Sequence, residues 1–279
     1  MIAKAYGKIN LTLEIIDKLP DGYHEIKSVF QRISIYDEIE TEKSPTMNIE
    51  FNIDVSSFET TVHKAVNLFL QKSKLKTNLH VFVKKNIPIG AGLGGGSSDA
   101  ATTLQLLNSL FGGPLSSSDL FRIGEEIGSD VLFFLNGSTA FVEGRGNIVY
   151  PLNNLTGIYF LIVFPPFLVS TAEAYYEFDK FGKFSKGNYS KETLQAIEKK
   201  ESFSKIEQFI YNDFELLYRL KDERFNGLFN TIESATNLPF HLTGSGSSIF
   251  SANENLDMLI SKQKIIEKLG FKTCIAETI

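Results

Sequence analysis

A glycine-rich segment is the feature that most constrains what this chain of 279 residues can fold into. Residues 86–98 read Asn-Ile-Pro-Ile-Gly-Ala-Gly-Leu-Gly-Gly-Gly-Ser-Ser and fit neither the helical nor the strand period. Directly behind this glycine segment, Ala100, Leu104, Leu107 and Phe111 form one apolar face of a predicted helix, which a Gly-Gly-Pro sequence ends. The fold must therefore place a glycine loop at the N-terminus of a helix.

This arrangement predicts a phosphate-binding site. Successive glycines allow backbone N–H groups to point into one concavity, and a helix start adds unpaired N–H groups and a partial positive charge. The glycine segment is not a Walker A motif, because no lysine precedes its serines. It is not a dinucleotide-binding motif either, because no acidic residue ends a following second strand about 20 residues further on. The alternative, a flexible linker, is disfavoured by the helix that follows at once.

Composition excludes several other classes. Hydrophobic residues make up 43% and charged residues 22% of the chain, which is typical of a globular protein. A net charge of −5 argues against a dedicated nucleic-acid or anionic-membrane binder. The single cysteine, Cys274, excludes an intrachain disulfide and a cysteine cluster for zinc or iron–sulfur. No apolar stretch resembles a signal peptide or is long enough to span a bilayer, so we expect a soluble, cytoplasmic protein.

The hydrophobic pattern changes near residue 157. Before it, alternation across residues 9–15 predicts a strand with one buried face, and Lys8 and Asn10 share the opposite face. Similar patterns predict strands around residues 33–39, 47–53 and 79–83 and a helix across residues 62–69.

After residue 157, a continuous apolar run at residues 158–164 predicts a strand buried on both faces. Apolar spacing then predicts one helix over residues 203–217 and another over 256–269, with a second glycine loop at 243–248. Because a chain of this length usually divides into two cores, we predict an N-terminal domain of residues 1–157 and a C-terminal domain of residues 158–279.

Two sets of polar residues are candidates for a functional site. Asp130 follows a short predicted helix and precedes an apolar run that we expect to be a strand. Aspartate at a helix end is often only a cap, but near Lys8 its carboxylate would accept a hydroxyl proton while the ammonium offsets charge on a transferring phosphoryl group. Tyr23 and His24 follow an Asp-Gly turn. They indicate either an exposed hairpin edge or a site for a planar ligand.

Residues 88–101 resemble the Pro-x-x-x-Gly-Leu-Gly-Ser-Ser signature of the GHMP kinases, the small-molecule kinases named for galactose, homoserine, mevalonate and phosphomevalonate. Further blocks resemble the branch of this family that phosphorylates a cytidyl-diphosphate-linked methylerythritol in the non-mevalonate isoprenoid pathway. These blocks lie at residues 7–11, 20–24, 128–131, 144–146, 212–215 and 242–246. They follow the family order over most of the chain, which is more specific than any single loop.

The resemblance implies an α+β GHMP kinase fold of two subdomains, one like domain 2 of ribosomal protein S5 and one ferredoxin-like, with the site between them. It implies that Lys8 and Asp130 are the catalytic pair, with ATP as phosphoryl donor and Mg²⁺ as cofactor. The residues implied to bind the ATP phosphates are Pro88, Ile89, Gly90, Ala91, Gly92, Leu93, Gly94, Gly95, Gly96, Ser97 and Ser98. Those implied to contact the substrate are Asn10, Tyr23, His24 and Tyr175.

The expected partner is a small molecule, without nucleic acid or membrane, and the expected state is a monomer or homodimer. Three positions depart from the family pattern, since Gly7 stands for alanine, Leu132 for proline and Thr61 for asparagine. The alternatives are a GHMP kinase for another alcohol, a nucleic-acid-binding module and a catalytically inactive nucleotide-binding regulator. Three measurements would distinguish them. Binding of cytidine-containing ligands tests the kinase for another alcohol, the salt dependence of RNA binding tests the nucleic-acid module, and ATP binding without turnover indicates the regulator.

Overall fold

The computed structural model describes residues 1–55 and 59–279. The strands along the described chain are β1 (Ile2–Lys18), β2 (His24–Ser44), β3 (Asn48–Phe51), β4 (Asn78–Lys84), β5 (Thr139–Gly144), β6 (Ile148–Pro151), β7 (Tyr159–Phe164), β8 (Tyr211–Asn212), β9 (His241–Leu242), β10 (Ile249–Asn253) and β11 (Lys272–Glu277). The helices are α1 (Thr61–Ser73), α2 (Gly95–Leu110), α3 (Ser117–Ile127), α4 (Ser129–Asn136), α5 (Thr171–Phe181), α6 (Asn188–Glu198), α7 (Phe203–Ile206), α8 (Asp213–Lys221), α9 (Glu223–Thr236) and α10 (Leu256–Lys268). The protein is therefore α+β, as predicted.

The chain forms two units. The first comprises Met1–Gly7, Ile35–Ile89 and Gly94–Gly137. The second comprises Lys8–Ser34, Gly90–Leu93 and Ser138–Ile279. Strands β1 and β2 contribute residues to each unit, and so does the glycine segment. The division into residues 1–157 and 158–279 stays a prediction.

The first unit contains a group of paired strands and a group of packed helices. Strand β4 pairs antiparallel with the second half of β2 and parallel with β3. Helix α1 buries Val62, Val66 and Phe69, the stripe that the sequence predicts. It packs against α2, which contacts α4 in turn.

The apolar run after Asp130 is a helix rather than the predicted strand. Helix α4 buries Val131 through Phe134, and α3 packs closely on it at Gly124. A β-carbon on Gly124 would lie 3.0–3.1 Å from three side chains of α4. A short, wholly apolar run has no periodicity, so its sequence does not distinguish a buried helix from a buried strand.

The second unit contains an antiparallel sheet in the order β11-β7-β10-β9. Strand β7 is the predicted strand, and the side chains from Phe160 to Val163 are fully buried. The predicted helix at 256–269 is confirmed as α10. The predicted helix at 203–217 is wrong, because α7 and α8 are separated there by a 3-10 turn and by β8. Asn212 caps α8 by accepting a hydrogen bond from the Phe214 N–H at 2.9 Å, which starts a new helix within a continuous apolar pattern.

Strand β1 is buried on both faces, contrary to the expectation of one buried face. Lys8, Asn10, Thr12 and Glu14 are each at most 4% exposed. The reason is that β1 lies between β2 and β8, and that other polar groups cover its polar face. The Ser190 hydroxyl, for example, donates to Thr12 Oγ1 at 2.9 Å. Among the described residues, no helix has the length and hydropathy that a membrane crossing needs.

Candidate active site

The first part of the glycine segment, Gly90–Leu93, meets the second glycine loop in the second unit. Gly92 has φ +76°, and a β-carbon on it would lie 2.2 Å from the Thr243 carbonyl oxygen. The Thr243 hydroxyl donates to the Gly92 carbonyl at 3.3 Å and accepts from the Asn10 N–H at 3.2 Å. The sequence predicts both loops but not that they touch. Glycine is required at position 92 because there is neither room nor a favourable backbone conformation for a side chain.

The second part of the glycine segment belongs to the first unit and opens helix α2. The helix begins at Gly95, its N-cap Gly94 has φ 69°, and no side chain caps it. Gly95, Gly96, Ser97 and Ser98 therefore occupy the first helical turn rather than a loop. The first N–H groups of a helix lack intrahelical acceptors, and the helix dipole adds positive potential there. In α2 the N–H of Ser98 is the first that is paired, since it donates to the Gly94 carbonyl at 2.9 Å. This helix start has the properties of an anion-binding site.

Neighbouring residues shape this helix start. Pro88 and Ile89 are exposed before it, whereas Ala91 and Leu93 are buried. The Thr61 hydroxyl, at one of the positions that depart from the family pattern, donates to the Gly96 carbonyl at 2.6 Å. Thr61 thus contacts the glycine segment directly, at a position where the family pattern has asparagine.

Asp130 lies in the first turn of α4, in the first unit, and is half-buried. Its side chain lies next to the positive end of the helix dipole. Lys8 belongs to the second unit. The pairing of these two residues in catalysis stays a prediction.

Lys8 is held in a buried polar chain on β1. Its Nζ donates to Asn10 Oδ1 and lies 4.6 Å from the centroid of the Phe30 ring. Asn10 Nδ2 donates in turn to Ser28 Oγ at 3.0 Å. The backbone N–H of Lys8 donates to the Leu93 carbonyl at 2.9 Å, so the strand and the glycine segment are joined. The structure brings Lys8 and Asn10 together, as their shared face predicts.

His24 and Tyr175 are also in contact, within the second unit. Their rings stack with centroids 4.5 Å apart at 19°, and Tyr175 packs edge-on against Phe214 at 5.0 Å. The His24 side chain is 5% exposed, whereas Tyr23 is 59% exposed. The Arg145 guanidinium lies 4.7 Å from the centroid of the Tyr23 ring. Of the four predicted substrate residues, buried His24 and partly buried Tyr175 therefore form a stacked pair, and Tyr23 is an exposed ring.

Sequence reasoning missed the carboxylate that binds His24. Asp179 Oδ1 lies 2.6 Å from His24 Nε2, and its Oδ2 accepts from Lys18 Nζ at 2.5 Å. Although desolvation opposes it, these hydrogen bonds and charges hold the pKa of Asp179 below its usual range. The available signal was helical spacing, because Asp179 follows Tyr175 by four residues on α5.

A buried ion network adjacent to the glycine segment was missed as well. Lys85 Nζ donates to the Asp37 carboxylate and, at 2.7 Å, to Asp99 Oδ2. Asp37 Oδ1 also accepts from the N–H groups of Asn86 and Ile87 at 2.5 and 2.8 Å. Desolvation raises the pKa of Asp99 to about 7, against the opposing charge of Lys85. This network fixes both ends of the glycine segment that lie in the first unit, at residues 86–87 and in α2.

A family model described as "GHMP kinases N terminal domain" matches residues 60–138. The chain is 36% identical to a 4-diphosphocytidyl-2-C-methyl-D-erythritol kinase of Caldicellulosiruptor saccharolyticus, over 91% of this chain and 89% of the relative. It is 37% identical to the relative of the same name in Thermotoga maritima, over 88% and 90% of the two chains.

Solved structures give the same result. A 4-(cytidine 5'-diphospho)-2C-methyl-D-erythritol kinase superposes with a TM-score of 0.83 at 26% identity, covering 100% of this chain and 99% of the other. A homoserine kinase from Cytophaga hutchinsonii has a TM-score of 0.72 at 15% identity over 99% and 95% of the chains, which shows the shared fold.

Proposed function

Because this chain belongs to the family of 4-diphosphocytidyl-2-C-methyl-D-erythritol kinases, a branch of the GHMP kinases, we propose that it transfers the γ-phosphoryl group of ATP to the 2-hydroxyl of 4-diphosphocytidyl-2-C-methyl-D-erythritol. The observation that carries the chemistry is the start of α2, where left-handed Gly94 precedes a helix with no side-chain cap. Such a helix start binds phosphate oxygens through backbone N–H groups.

In the proposed mechanism the protein acts mainly by positioning and charge. The first-turn N–H groups of α2 bind the ATP phosphates, and the Lys8 ammonium offsets charge that spreads over the transferring phosphoryl group. Asp130 accepts the proton of the substrate hydroxyl or orients that hydroxyl for in-line attack. Asn10, through its hydrogen bond with Lys8, keeps the ammonium in place on β1. His24, Tyr23 and Tyr175 bind the cytidyl end of the substrate.

ATP phosphates bound at the start of α2 would supply oxygen ligands for Mg²⁺. The described part of the chain contains no group of three or more His, Cys, Asp or Glu side chains arranged around a metal. Mg²⁺ in kinases is commonly held by one or two carboxylates together with phosphate oxygens and waters, so a complete protein cage is not needed. Bound with ATP, Mg²⁺ would neutralise charge on the phosphates, and the Asp130 carboxylate is kept for the substrate hydroxyl.

The test is Mg²⁺-dependent ADP release by the purified protein, with the cytidyl substrate and, separately, with mevalonate, homoserine and galactose. We expect turnover with the cytidyl substrate alone. Turnover with another alcohol would keep the kinase chemistry and contradict the substrate. ATP binding without any turnover would favour a regulator. A cytoplasmic location, a monomeric or homodimeric state and the lack of nucleic-acid or membrane partners stay predictions.

Asp130→Asn tests the proposed base. The substitution keeps the shape of the side chain but removes the negative charge that accepts or orients the hydroxyl proton. We expect kcat to fall by about 10²-fold or more, the usual scale for a general base, with ATP affinity unchanged. The matched control is Glu126→Gln, which neutralises an exposed carboxylate on the neighbouring helix α3 and should leave kcat unchanged. Equal kcat for wild type and Asp130→Asn would remove Asp130 from the mechanism.

A further inference from the structure

Asp179 contacts a predicted substrate residue but has no place in the mechanism above. It lies on α5, one helical turn after Tyr175, whose ring stacks on His24. Its Oδ1 is 2.6 Å from His24 Nε2. The imidazole is thus held from two directions by one helix, on its face by a tyrosine and at its edge by a carboxylate.

The direction of the hydrogen bond follows from the state of the carboxylate. The Lys18 ammonium favours the ionised form of Asp179, and an ionised carboxylate has only acceptor atoms. Nε2 of His24 must therefore donate. In a neutral imidazole one nitrogen carries the proton and the other accepts, so a carboxylate partner selects the tautomer. With the proton on Nε2, Nδ1 is the acceptor.

Lys18 strengthens this selection. Its Nζ binds Asp179 Oδ2 at 2.5 Å, which leaves Oδ1 for the histidine and keeps the carboxylate charged. The His24 side chain is 5% exposed, so water competes little with Asp179 for the imidazole. Among the residues that the structure describes, Nε2 is the ring nitrogen of His24 that makes a hydrogen bond.

We propose that Asp179 is a positioning residue for substrate recognition, which holds the His24 proton on Nε2 and so leaves Nδ1 as the acceptor for the cytidyl substrate. This inference rests on the proposed function, because it takes the cytidyl end of the substrate as the ligand of His24. Cytosine carries an exocyclic amino group, and a hydrogen-bond donor of that kind matches an acceptor nitrogen. Asp179 itself does not touch the reacting atoms.

The test is Asp179→Asn, because an amide either donates to Nε2 or accepts from it and no longer selects one tautomer. In ¹⁵N spectra of the histidine side chains above the titration range of the imidazole, the wild type should show the Nε2–H tautomer of His24. The variant should show a mixture or the Nδ1–H form. The KM for the cytidyl substrate should rise by up to about tenfold, the upper end of what the loss of one neutral hydrogen bond costs. The kcat and the KM for ATP should stay within about twofold, since the phosphate side of the site is untouched.

A control variant separates the histidine contact from general effects of charge. Glu177→Gln neutralises an exposed carboxylate on the same helix, which pairs with Lys180. It should keep the wild-type tautomer and a KM within about twofold. Lys18→Met removes the ion pair at Oδ2 and should shift the tautomer less than Asp179→Asn does, because the Nε2 contact remains. Asp179→Glu should recover part of the wild-type KM, because it restores a carboxylate. Asp179→Ser gives the same test if the asparagine variant does not fold.

An unchanged tautomer in both Asp179→Asn and Asp179→Ser, or an unchanged KM in an enzyme that turns over the cytidyl substrate, would overturn the proposal. Wild-type protein that fails to phosphorylate the cytidyl substrate would instead overturn the proposed function and, with it, this role for Asp179. Activity of the wild type and the spectrum of the variant therefore distinguish the two failures.

Discussion

Both units of the molecule bury aspartate side chains, and each unit satisfies them in a different way. In the first unit, Asp99 and Asp37 share the ammonium of Lys85. Asp99 Oδ1 has no hydrogen-bond partner in the part of the chain that the structure describes. In the second unit, Asp213 is surrounded by neutral donors. One aspartate thus depends on a single charge, and the other on several hydrogen bonds.

The neutral donors of Asp213 come from three segments. The Ile15 N–H donates to Oδ2 at 2.6 Å, and the hydroxyls of Ser185 and Tyr211 each donate to Oδ1 at 2.8 Å. Desolvation still raises the pKa of Asp213, to about 6. Loss of one neutral donor leaves two others, whereas loss of Lys85 leaves two buried carboxylates facing each other. Removal of one group, Lys85, should therefore disrupt the whole first network, whereas removal of one donor should weaken the second network only in part.

The largest expected effect is therefore that of Lys85→Met. This variant keeps the aliphatic stem and removes the ammonium, so Asp37 and Asp99, at 0% and 2% exposure, lose their common counter-ion. We expect a loss of about 3–5 kcal/mol in the free energy of unfolding, measured by urea denaturation at pH 7. The control is Lys84→Met at the adjacent, exposed position of β4, which should cost less than about 0.5 kcal/mol. Equal costs for the two variants would contradict the comparison.

The pH dependence of stability gives the next largest effect. The pKa of Asp213 is raised by desolvation from 3.8 to about 6, so between these values the folded protein holds a proton that the unfolded chain has released. Its contribution to stability is complete below pH 3.8 and is lost as the pH rises to 6. Wild-type stability relative to Asp213→Asn should therefore fall from pH 4 to pH 6, with a slope that approaches about 1.4 kcal/mol per pH unit.

The same experiment distinguishes the two aspartates. The pKa of Asp99 is raised to about 7, so the difference between wild type and Asp99→Asn should continue to change up to pH 7. Asp17→Asn, at an exposed position of β1, should show the wild-type pH profile. Parallel profiles for wild type and Asp213→Asn would mean that Asp213 does not titrate in this range.

The sequence predicts those parts of the site that are encoded locally. The glycine segment and the helix behind it depend on consecutive glycines and on spacing of three and four residues, so both are readable. Lys8 and Asn10 share a face because strand geometry fixes it. The helix at Asp130 is misread because its short apolar run lacks periodicity.

The sequence did not predict contacts between residues that are far apart along the chain. His24 and Asp179 are 155 residues apart, and neither position carries a motif that predicts the other. Lys85 directly precedes the glycine segment, but two consecutive lysines in a sequence predict solvent-exposed side chains rather than a buried one. Its counter-ion Asp37 is 48 residues away, on another strand. Pairs of this kind depend on how elements that are distant in the sequence are brought together, which single-chain periodicity does not encode.

The smallest expected effect tests the stepwise nature of the second network. Tyr211 and Tyr189 stack with ring centroids 4.2 Å apart, but the Tyr211 hydroxyl is the one that binds Asp213. Tyr211→Phe removes one of three donors, so we expect a loss of about 1 kcal/mol at pH 7, measured by urea denaturation. Tyr189→Phe removes a hydroxyl from the exposed ring of the same pair and should cost less than about 0.5 kcal/mol. A loss for Tyr211→Phe as large as that for Lys85→Met would show that the Asp213 network also fails as a whole, and the contrast between the two units would then disappear.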